Sequence, residues 1–219
     1  MSHVRELYSK NLKTQGIIIA LFWGSMWGLA EATLGHILHL LRIPGLAGFV
    51  MFPVGLVFML KAYKASNNLS VILSTSVVAA TIKLSNILLP GTSPLDAFNP
   101  AIAIICESLA VFVLFFFIRQ RVHQRHLILG WLVLSWRLLF VTFLIMMEAL
   151  FPSQNLISLG FERLLSFFLW ESVANGILIY LLMKKVDFET RSFPKPTVSQ
   201  SVLASCLMFM AALLTEWIF

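Results

Sequence analysis

Glu31, Lys83, Glu107, Arg137, Glu148, Arg163 and Glu171 lie within, or at the ends of, long apolar runs of a 219-residue chain. An ionisable side chain at the centre of a bilayer costs about 2.5–3.5 kcal/mol on insertion scales. Four carboxylates and three bases in such places must pair with one another or surround something polar. Lys83 shares a helical stripe with Ser76, Ala79 and Asn86, and is expected to meet Glu31, Glu107 or an anionic ligand. Glu171 and Asn175 stand four residues apart, on one helix face, and Arg137 is expected to pair with Glu171. Glu31, Lys83, Asn86, Glu107, Arg137, Glu171 and Asn175 are therefore the candidate ligand-binding set.

Other chemistry finds less support. No HExxH, HxxxxD, GxSxG or Cys–His arrangement occurs, so an enzyme is not expected. Cys106 and Cys206 both fall in apolar runs and form neither a disulfide framework nor a CxxC pair. His36 and His39 lack a third ligand at helical spacing, and no metal or cofactor is expected. Asn99-Pro100 reads as a helix start with proline in the first turn, placing Glu107 two turns deeper. Asn99-Pro100-Ala101 matches the aquaporin tripeptide, but a water channel needs a second copy that the chain does not contain.

These side chains need a scaffold, and composition says which kind. The chain is 59% hydrophobic and 12% charged, with a mean hydropathy of +0.89, where a soluble domain carries about 25% charged residues. The fold class is an all-α polytopic membrane protein, and the lipid bilayer is its first partner. A span needs about 20 apolar residues. Seven runs meet or approach that length: Gly16–Leu41, Ile43–Leu60, Leu69–Leu89, Pro100–Ile118, Leu127–Leu150, Leu164–Met183 and Val198–Phe219. The second, interrupted by Pro44, Gly45, Gly48, Pro53 and Gly55, is the least regular. Residues 1–15 form an N-terminal segment, 16–183 a six-helix core, 184–197 a linker and 198–219 a last helix, in one membrane domain. Arg5, Lys10, Lys13, Lys61, Lys64, Arg119, Arg121, Arg125, Lys184, Lys185, Arg191 and Lys195 all fall on one side of this arrangement. By the positive-inside rule the N-terminus is cytoplasmic and the C-terminus outside. The net charge of +6 then reflects topology, and no nucleic-acid partner is implied. Loops at Pro90–Asp96 and Pro152–Asn155 are turn-rich and nearly uncharged.

Gly24, Gly28 and Ala32 form a small-xxx-small ridge on the first span, a pattern that lets another helix approach closely. That helix belongs either to this chain or to a partner subunit. A small basic-looped membrane protein with such a ridge, and with polar residues gathered toward the outside, resembles the substrate-binding (S) subunits of energy-coupling factor (ECF) transporters. The resemblance covers roughly Gly16 to Met183, the ridge being similar to the Ala-x-x-x-Ala motif of that family. It implies capture of a vitamin-like micronutrient outside the plasma (inner) membrane of a prokaryote. It also implies docking through Gly24, Gly28 and Ala32 to a transmembrane coupling subunit served by ATPases. The seventh span departs from the family's six. The charges themselves suit a small zwitterionic or amphipathic ligand. An accessory subunit of a larger membrane complex, and a membrane enzyme without a recognisable motif, are the alternatives.

Overall fold

A computed structural model describes residues 2–43, 45–118, 125–150, 160–185 and 198–218, with side chains described for 14–43, 45–117, 130–150, 160–182 and 202–218. The described chain is helical: α1 (Ser2–Ala30), α2 (His36–Leu40), α3 (Leu46–Ser66), α4 (Ser70–Leu84), α5 (Pro94–Ile118), α6 (Arg125–Leu150), α7 (Phe161–Phe168), α8 (Trp170–Lys185) and α9 (Val198–Ile218). A π-helical turn, Glu31–Gly35, joins α1 to α2, and a 3-10 turn, Ser85–Leu88, ends α4. Six segments are long and apolar enough to cross a membrane: Thr14–Leu40, Leu46–Ser66, Ser70–Leu88, Pro94–Phe117, Gly130–Leu150 and Phe161–Leu182. Val202–Ile218 is a shorter apolar helix. This is an all-α polytopic membrane protein. Its surface agrees, for Trp131, Leu138, Phe117, Trp170 and Leu203 are exposed, a cost in water that lipid removes.

Two local expectations are corrected. The glycine- and proline-interrupted second span is a continuous helix through Pro53. Proline cannot donate to the carbonyl four residues back, and the freed Phe49 carbonyl is met from outside the helix. The Asn175 amide nitrogen donates to it at 2.7 Å when the amide is oriented to satisfy both of its neighbours. Asn99-Pro100 does not start a helix either. That role falls to Pro94, and Pro100 lies inside α5. The irregular spans are instead the first, at its π turn, and the sixth, which breaks at Leu169 between α7 and α8.

α1 is the hub, packing against α3, α4 and α9. The small-residue ridge explains its closest contact. A Cβ built on Gly24 would lie 2.6 Å from the Thr75 carbonyl oxygen, and one on Gly28 would lie 2.6 Å from Ile82 Cδ1. Ala32 is buried as well. The expected docking of Gly24, Gly28 and Ala32 to a partner subunit is therefore corrected: α4 of the same chain occupies the Gly24–Gly28 ridge. On another face of α1, Gly55 of α3 makes room for the Trp27 ring. α9 runs alongside α1 in the same direction. The Ser205 hydroxyl donates to the Ile18 carbonyl at 3.2 Å, while Glu216 reaches Lys83 on α4. α5 bridges α4 to α6, and α8 packs on α6 and α3. Arg119, Arg121, the loop Pro152–Asn155 and linker residues 186–197, including Arg191 and Lys195, lie outside the described residues.

Candidate functional site

The buried polar residues fall into two groups with one carboxylate between them. The first group joins α1, α4 and α9. Lys83 Nζ sits 2.7 Å from Glu216 Oε1, and the Asn86 amide nitrogen donates to the same oxygen. Trp217 Nε1 donates to Ser85 Oγ at 3.1 Å one residue further along α9. Glu31 is buried, and its Oε1 accepts from Trp27 Nε1 at 3.3 Å. The π turn begins at Glu31 itself. A Cβ on Gly35 would lie 3.1 Å from Glu31 Oε2, so glycine leaves room for the carboxylate beside its own helix. Lys83 and Glu216 are charged neighbours of Glu31.

The second group joins α3, α6, α7 and α8 around Arg137, whose side chain is wholly enclosed. Its Nη1 donates to the Phe167 carbonyl at 2.7 Å and to Glu171 Oε2 at 3.2 Å. Its Nη2 donates to the Asn175 oxygen at 3.0 Å in the amide orientation that also serves Phe49. The guanidinium lies 4.3 Å from the Phe167 ring centre and 4.8 Å from that of Trp136, the cation–π range. Arg163 Nη2 contacts Glu171 Oε1 at 2.7 Å. Gly45 (φ +81°) caps α3 directly against Arg163 Nη2 and the Glu171 carboxylate, where any side chain would collide. The expected Arg137–Glu171 pair is present, with Arg163 as a second cation on the same carboxylate.

Glu107 of α5 lies between the groups, with Glu31 and Arg137 as its charged neighbours. It is 3% exposed, and its Oε2 has no hydrogen-bond partner among the described residues. Ser108, beside it, shares a buried 2.7 Å hydrogen bond with Ser76 of α4. Glu148 is partly buried further along α6. Lys83 pairs with Glu216, and Arg137 and Arg163 pair with Glu171, while Glu31 and Glu107 have no ion-pair partner among the described residues. Two apolar clefts of about 190 and 350 Å³ lie on either side of α4, near Thr81 and Ser74, and no ionisable side chain lines either.

The structure thus unites Lys83 with Asn86, and Arg137 with Glu171 and Asn175. It does not hydrogen-bond Lys83 to Glu31 or Glu107, because Glu216 takes that place. Glu216 is the residue that sequence reasoning missed. The signal was present, since an acid inside the apolar run Val198–Phe219 meets the criterion that selected the other seven. Compared with protein-family models, curated proteins and solved structures, the chain matches none.

Proposed function

We propose that this membrane protein is a transport component that captures a small zwitterionic solute among its buried charges, entering from the non-cytoplasmic side. One observation carries the reading: the two polar groups hold unmet hydrogen-bonding atoms of opposite character. Asn86 Oδ1, Glu216 Oε2 and Glu107 Oε2 are buried acceptors without partners, and Arg137 Nε is a buried donor without one. Leaving such an atom unmet costs about 1–3 kcal/mol. A molecule with a cationic end and an anionic end would meet both kinds. The S-subunit resemblance supports the same reading over the six-span core. The seventh helix is then an addition clasped to that core by Glu216, and any energising partner must dock elsewhere than on the Gly24–Gly28 ridge.

Mass spectrometry of small molecules retained by the protein in native-lipid nanodiscs tests this. Wild type should carry one polar compound near one per chain. Asn86→Ala should lose it at least about tenfold, the factor that ~1.4 kcal/mol of lost contact implies, while remaining folded at the temperature of the assay. No compound on wild type, or equal retention by the variant, would overturn the proposal. A second reading, an accessory subunit of a larger complex, draws on the closure of Arg137, Arg163 and Glu171 on one another. It expects a co-purifying protein in place of a solute.

A further inference from the structure

Every buried base in the two groups already has an acid. Lys83 holds Glu216, and Arg137 and Arg163 share Glu171. Glu31 and Glu107 are left with no ion-pair partner among the described residues, and both are more than nine-tenths buried. The two carboxylates lie within each other's field. Two like charges in a medium of low dielectric repel strongly, and an uncompensated carboxylate within a bilayer is expensive by itself. The interior is therefore short of one positive charge.

Glu31 has some compensation of its own, from the Trp27 N–H at 3.3 Å and from Lys83 as a charged neighbour. Glu107 has less. Its Oε2 is buried and meets no donor, and the guanidinium in its range, Arg137, spends its Nη donors on Phe167, Glu171 and Asn175. The other elements around α5 bring little more. α4 offers the Ser76 hydroxyl nearby and Lys83 toward its end, while α3 carries Lys61, Tyr63 and Lys64 at its far end. Cys106 is the neighbour on α5 itself. No group of three or more His, Cys, Asp or Glu side chains forms a metal cluster among the described residues, so the vacancy does not have the donor set of a divalent ion. The π turn at Glu31 is a second mark, because such bulges occur frequently at functional sites.

We propose that Glu107 holds one exchangeable monovalent positive charge, a proton or an alkali cation, with Glu31 as the second carboxylate whose field retains it. The inference goes beyond the solute reading and stands without it. A carrier whose buried acid gains and loses a single charge has the means to link solute binding to an ion gradient. A proton and Na+ supply the same chemistry, and one set of titrations separates them.

The full chain and its Glu107→Gln and Glu31→Gln variants are placed in lipid nanodiscs without solute. Na+ replaces choline at constant ionic strength and fixed pH, and in a second series pH is varied in choline alone. Infrared difference spectra follow the carboxylic-acid carbonyl band, and the thermal midpoint is read in parallel. A proton site gives a wild-type band that fades as pH rises and is missing from Glu107→Gln. An alkali-cation site gives a midpoint that climbs with Na+ in wild type and stays flat in Glu107→Gln. Glu31→Gln, which keeps the site but removes its neighbour's charge, should need at least about tenfold more Na+ or acid for half-saturation, as ~1.4 kcal/mol of lost attraction implies. Its role covers a failure of Glu107→Gln to fold, since Glu31→Gln titrating like wild type would then overturn the proposal. Parallel behaviour of wild type and Glu107→Gln in both titrations, or a band that survives every pH and salt, would overturn it as well. The solute assay reads a different quantity, so either idea can fail alone.

Discussion

The Arg137 side and the Lys83 side of the interior are built from the same residue types but in opposite balance. Around Arg137, two guanidiniums share one carboxylate, and an amide, a backbone carbonyl and two aromatic rings complete the enclosure. Around Lys83, one ammonium stands among Glu216 and Glu31, with Glu107 beyond. The first group meets both Glu171 oxygens and the Arg137 Nη donors, and leaves Arg137 Nε over. It ties α6 to α7 and α8, and through Asn175 it mends the hydrogen bond that Pro53 removes from α3. The second leaves acceptors unmet. Buried charge by itself does not mark a site, because a network whose carboxylate is paired at both oxygens serves as structure, while one with unmet carboxylate oxygens asks for a ligand.

The severest way to break this comparison is to cut the closed group at its centre. Glu171→Gln removes the carboxylate that Arg137 and Arg163 share. Removing one partner of a buried pair costs about 3–5 kcal/mol, and here two cations lose one. Unfolding in mixed detergent micelles should show a loss of that size. A loss below about 1 kcal/mol would show that the Arg137 side is not the structural half.

Lys83→Met cuts the open group at its base. The expected loss is smaller, about 1.5–3 kcal/mol, the usual worth of a hydrogen bond to a charged group. Asn86 still donates to Glu216 after the change, and Met keeps most of the apolar stem in place. The same unfolding assay should rank Lys83→Met below Glu171→Gln. Reversed order would make the α9 clasp, and not the Arg137 knot, the principal polar support of the fold.

How much of this was legible in the sequence follows from range. Apolar run length depends on local composition, so six spans and a seventh apolar helix could be counted from residues alone. The Arg137–Glu171 pair was also accessible, since Arg137 and Glu171 were both costly residues in neighbouring spans. Glu216 stands in an apolar run as the others do, so its cost is legible there, but its partner on α4 is not. The fate of the Gly24–Gly28 ridge could not be read, because a small-residue stripe states that a helix approaches and not whose helix it is. Pro53 misled for a related reason. Proline removes a hydrogen bond locally, and the repair comes from Asn175, 122 positions along the chain in the numbering of the sequence.

The smallest expected effect separates the halves most sharply. Glu107→Gln replaces a buried carboxylate by an amide of nearly the same shape. The carboxylate has no ion-pair partner among the described residues, and one of its oxygens is unmet. Neutralising it gives up no contact comparable with those of Glu171, and it removes a charge that repels Glu31. In choline-based buffer at a pH above the titration of the site, so that neither protons nor Na+ fill the vacancy, stability should be unchanged or higher by up to about 1 kcal/mol. The check is the same micelle unfolding assay, run beside Glu171→Gln. If both variants lose several kcal/mol, Glu107 holds a structural partner and the interior is one closed network. If only Glu171→Gln does, the two halves differ in kind, and the unmet oxygen of Glu107 marks the half that works.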